Sequence, residues 1–89
     1  MKAIVTVVGK DRVGIIAGVC VKLAEYNVNV LDISQTVMQG YFTMMMATDV
    51  SQANIPLAEL ATRMEAAGKE MGLSIRIQRE DIFEAMHRI

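Results

Sequence analysis

The chain's 89 residues leave room for one domain and no second one, and a body this small buries only roughly 60–65% of its unfolded surface. Hydrophobic residues make up 53% of it and aromatics only 4%, with eight methionines and no tryptophan. That is more apolar surface than one small core absorbs, and it points to a second core between two copies, a homodimer. The formal net charge of −1 argues against a nucleic-acid partner.

Cys20 stands alone, so no intrachain disulfide can form and a reducing cytoplasm is the default compartment. The apolar stretch AIVTVV is too short for a signal core and runs directly into Gly-Lys-Asp-Arg. VGIIAGVCV is cut off by Lys22, far short of the ~20 residues of a membrane span, so no membrane partner is expected.

Residues 2–8 alternate, with Ala3, Val5 and Val7 on one side and Lys2, Ile4, Thr6 and Val8 on the other. This predicts a strand with one buried and one partly polar face. After GKDRVG, residues Ile15, Ile16, Val19, Cys20 and Leu23 recur at helical spacing, predicting an amphipathic helix over about 13–26. Asp11 is the better N-cap type of the two residues at its start. Tyr26-Asn27 closes the helix, and a second strand follows over about 28–38. Its Leu31, Ile33 and Val37 share a face, while Asp32, Ser34 and Thr36 take the other. Val28 and Val30 are out of phase with Leu31, which places a bulge near Val30.

Gln39-Gly40 marks a hairpin turn. The third strand, YFTMMMAT, is apolar at nearly every position, as suits a central strand covered on both faces. Pro56 then sits in the first turn of a second helix, whose stripe is Leu57, Leu60, Ala61, Met64, Ala67 and Met71. Glu59/Arg63 and Glu65/Lys69 are i,i+4 pairs on its wet side, and Gly72 takes the C′ position. LSIRIQ, residues 73–78, is a fourth strand, and EDIFEAMHRI is a short tail helix that must pack on something to persist. The order βαββαβ folds, with right-handed crossovers, into an α+β ferredoxin-like sandwich. It has a four-stranded antiparallel sheet, two helices on one face, central first and third strands, and a short C-terminal helix.

Gly9 and Gly14 have phosphate-loop spacing, but Ile15-Ile16 stand where that motif needs Lys and Ser/Thr, which rejects nucleotide binding of that kind. An RNA-recognition module shares the element order, yet Thr43 and Met46 occupy its stacking positions and the first strand has no aromatic. No Cys/His cluster has zinc spacing. His87, the sole histidine, reads as a packing or dipole-pairing residue, and Cys20 as a core thiol. Asp11, Asp32 and Asp49 read as cap and turn residues before a cation site. Neither catalysis, nor a metal, nor a cofactor is expected. For the turn itself two readings stand. Either Asp11 caps the helix N–H groups, or those N–H groups and Gly14 form a seat for a ligand.

GKDRVGII followed by LAEYNVNVLDISQTV resembles the ACT domain, a small-molecule-binding regulatory module of the same element order. The resemblance covers residues 1–80, with 81–89 as a helical extension. It implies a homodimer that binds an amino acid or related metabolite between the first strand–helix turn of one subunit and the second strand of the other. The residues it assigns to the ligand are Gly9, Lys10, Asp11, Arg12, Val13, Gly14 and Asn29. Aligned with serine-binding members, only Asn29 keeps its residue type: Gly9 replaces a histidine and Asp11 an asparagine. The anionic Asp11 suits a ligand presenting an ammonium group. A ligand-free docking module acting on a protein partner is the alternative.

Overall fold

A computed structural model describes residues 1–86; the reading made for His87 and the last three residues expected in the tail helix lie outside them. The order is β1 (Lys2–Lys10), α1 (Ile15–Glu25), β2 (Asn29–Met38), β3 (Tyr41–Asp49), α2 (Leu57–Glu70), β4 (Leu73–Arg79) and α3 (Glu80–Met86). The four strands form one antiparallel sheet in the order β2-β3-β1-β4, with the first and third strands central.

Strand alternation decides the two faces. Ala3, Val5 and Val7 of β1 are fully buried and lie in register with Thr48, Met46 and Met44 of β3. They form one core with Ile15, Val19 and Leu23 of α1, Leu60 and Met64 of α2, and Leu73 and Ile75 of β4. Both long helices therefore sit on this face, and removing these side chains from water is the main source of stability. The expected helix pairs form on the wet side of α2: Arg63–Glu59 at 2.7 Å and Lys69–Glu65 at 3.8 Å. Exposed as they are, they add little.

The hairpin and bulge fall where the sequence places them. Gln39 and Gly40 have φ of 52° and 81°, the paired positive values of the turn that matches strand twist. The β2–β3 register shifts between Val30 and Asp32, leaving Leu31 as the extra residue.

Two expectations need correction. YFTMMMAT is not covered on both faces: Phe42, Met44 and Met46 are buried, but Thr43 is exposed and Met45 is 38% exposed. The two long helices cover one face only, and the short α3, as far as the described residues show, packs against β1 and β4. The second correction concerns Asp11. It does not cap α1, which starts at Ile15, two residues later than expected, with Gly14 at the N-cap and no side-chain cap bond.

Candidate functional site

The site starts where β1 ends. The backbone N–H of Asp11 donates to the Gly40 carbonyl at 2.8 Å, tying the turn to the β2–β3 hairpin. Gly14 then swings the chain into α1 at φ 91°, in the left-handed region, with open space where a side chain would stand. The first helical hydrogen bond runs from Gly18 to the Gly14 carbonyl at 2.9 Å. The N–H groups of Ile15, Ile16 and Ala17 thus have no intrahelical acceptor. Among the described residues no side chain caps them, and no acidic residue occupies the first turn.

The residues that carry these N–H groups line a groove of about 350 Å³, together with Asp11, Arg12 and Gly14 from the turn. Its far wall is Gln35, Val37 and Phe42, from β2 and β3. Asp11 and Arg12 are exposed, and among the described residues neither side chain makes a hydrogen bond or ion pair. A positive helix end and the unpaired Asp11 thus border one groove; the Arg12 guanidinium extends toward Gly72, its Nη1 3.9 Å from where a Cβ there would stand.

Of the seven residues assigned from sequence, Asp11, Arg12 and Gly14 line this groove. Val13 is fully exposed beside it. Lys10 is exposed and pairs with Tyr41, on the sheet face away from the helices. Gly9 serves packing: a Cβ there would come 2.5 Å from Cδ2 of Leu73. Asn29 lies at the other end of the sheet, paired with Asp49, while the turn follows Lys10 at the Tyr41 end. Within one chain, then, Asn29 does not reach the groove.

Sequence reasoning missed Gln35, Val37 and Phe42. A signal existed for one of them: Gln35 is the polar member of the face that also carries Ile33 and Val37. A groove of about 400 Å³ between α2 and β4 is larger, but its Lys69 and Glu65 already pair with each other. It offers less to a ligand than the uncapped helix end does.

Catalytic chemistry has no foothold in the groove, which lacks a nucleophile–base pair. Among the described residues no group of three or more His, Cys, Asp or Glu could hold a metal ion. Asp32 accepts from the Ile33 N–H at 2.9 Å, and Asp49 from the Ser51 N–H at 2.9 Å and hydroxyl at 2.6 Å. The Asp49 bonds close a turn as expected, whereas Asp32 is neither a cap nor a turn residue: it lies in β2 beside the bulge. No helix among the described residues is long and apolar enough to cross a membrane.

Comparison with known proteins settles the lineage, because the family profile of the ACT domain matches residues 2–78. The chain belongs to the ACT domain family. A UPF0237 protein of Listeria innocua is 54% identical over the full length of both chains. The solved ACT domain protein from Streptococcus pneumoniae is 50% identical, covers 97% of each chain and superposes with a TM-score of 0.83. A putative glycine cleavage system transcriptional repressor shares the fold at 22% identity and a TM-score of 0.73. This ACT domain corresponds to 44% of that chain.

Proposed function

We propose that this ACT domain is a regulatory module that senses an amino acid or a closely related zwitterionic metabolite as a homodimer. One observation carries the reading: the uncapped N-terminus of α1 and Asp11, whose side chain is unpaired, border the same groove. A carboxylate suits the helix N–H groups and Arg12, and an ammonium suits Asp11. A simple anion would gain only the first half of that pairing.

The second copy enters through β2, an edge strand whose Leu31, Ile33 and Val37 are 48%, 39% and 52% exposed. Antiparallel pairing of two β2 strands about Ile33 carries Asn29 of the second copy to the Thr36–Val37 end, beside the groove. A site built this way couples ligand affinity and dimerisation by the same factor.

Thermal-shift screening against the twenty amino acids tests the reading. A ligand at ten times its Kd stabilises by about 1.4 kcal/mol, which is several degrees in a domain of this size. Asn29→Ala should shrink the shift while leaving the mass of the free protein unchanged. If no amino acid shifts the midpoint, the docking alternative replaces the sensing one. If an enforced monomer binds as tightly as wild type, the shared site is wrong.

A further inference from the structure

The sheet face turned away from α1 and α2 carries an open apolar strip with charges at its margins. Thr43 is exposed, and Val8 and Met45 are 41% and 38% exposed; Ile4, Thr6 and Ala47 beside them are half-buried. The register sets Asp32, Ala47 and Ile4 in one row, and Ser34, Met45, Thr6 and Arg76 in the next. Lys2 lies opposite Asp49 at one end, and Lys10 opposite Tyr41 at the other.

We propose that this face binds the same face of a second copy, with the two-fold axis running along the strands between β1 and β3. Such an axis lays β2 of one copy over β4 of the other and β3 over β1. Asp32 then meets the β4 row next to that of Arg76, a step of about 7 Å along the strand that an arginine side chain spans. Lys2 comes over Asp49. An axis running across the strands would instead set Arg76 against Arg76 and Lys2 against Lys10. Charge complementarity selects the first arrangement, with the uncharged strip in the middle, as aligned sheet packing about 10 Å apart requires.

Four strands and five rows of side chains offer about 500 Å² per copy, or about 1,000 Å² in total, the lower limit of a specific interface. The pairing is therefore one that forms at micromolar concentration rather than an obligate one. It is separate from the β2 edge, since copies joined along β2 still leave both open faces uncovered.

Charge reversal in the full chain tests it, with Ile33→Lys as background to remove edge pairing and sedimentation equilibrium as the readout. Melting by circular dichroism confirms that each variant is folded. The Ile33→Lys protein should still form a two-copy species. Asp32→Arg and Arg76→Asp added singly should each weaken it by at least about tenfold, because both contacts in each pair become like-charged. Mixing the two singly reversed proteins should restore association, since both contacts are then again opposite in charge. No intrachain pair can explain such a rescue: β3 and β1 separate Asp32 from Arg76 by about 14 Å.

A mixture no tighter than its components overturns the proposal, as does a background that stays monomeric at every concentration. The latter outcome would leave the face to a different protein. Failure of the shared ligand site would appear separately, as ligand binding unaltered by Ile33→Lys.

Discussion

The N–H of Asp11 and the carbonyl of Gly40 hold the β1–α1 turn against the β2–β3 hairpin at 2.8 Å. The backbone does the holding, so the Asp11 side chain is left without a structural task. Asp11→Ala and Arg12→Ala should each change the unfolding free energy by less than about 0.5 kcal/mol in urea titrations. Both should diminish the thermal shift given by an amino-acid ligand. A loss above about 1 kcal/mol from Asp11→Ala would mean that its carboxylate serves α1 as a cap after all.

Two helical glycines should answer substitution in opposite directions. A Cβ on Gly68 would stand 2.9 Å from Cγ1 of Ile75 and 2.9 Å from the Leu73 carbonyl oxygen, so α2 cannot keep its seat on β4. Gly68→Ala should cost about 1–2 kcal/mol net, the overpacking exceeding the gain of about 1 kcal/mol in helix propensity. On Gly18 a Cβ meets only the Met71 sulfur, at 3.3 Å. That side chain can move, and Gly18→Ala should be neutral or stabilising by up to about 1 kcal/mol. Equal effects at the two sites would refute the packing difference.

Thr48 is fully buried and donates its hydroxyl to the Ala3 carbonyl at 2.8 Å, between the two central strands. Thr48→Val keeps the shape and removes the bond, which should cost about 1 kcal/mol. Chemical denaturation with an unchanged m-value would check it. An unaltered midpoint would show that the hydroxyl contributes nothing net.

Asp49 ties down the start of the chain. The Ser51 hydroxyl and N–H hold its carboxyl below the usual carboxylate range, helped by the Met1 ammonium at 3.6 Å. Because the folded state lowers this pKa, the stabilisation is complete above the unfolded value of about 3.9 and is lost as pH falls through the folded one. Asp49→Asn should therefore melt below wild type at neutral pH, by a small margin for so exposed a group. The gap should close as the pH drops below about 4. A gap that widens on acidification would contradict the assignment.

The sequence alone determined whatever depends on neighbours along the chain. Alternation through Ala3, Val5 and Val7 marks the buried face of β1. The phase break before Leu31 marks the bulge, and Gln39-Gly40 the hairpin. Asp11, Arg12 and Gly14 were legible as a candidate seat because the turn that presents them is a local feature. Tertiary structure alone decided three other matters. Composition could not show that YFTMMMAT lies bare on one face, because coverage depends on how many helices two crossovers can supply. Residue preference made Asp11 a cap, but the left-handed bend at Gly14 moves the helix start beyond its reach. Gln35, Val37 and Phe42 join the groove across strand register, and Asn29 leaves it, since β2 starts at the far end of the sheet. Periodicity reports which way a side chain points. Only the packed sheet determines which residues, distant along the chain, come to stand opposite one another.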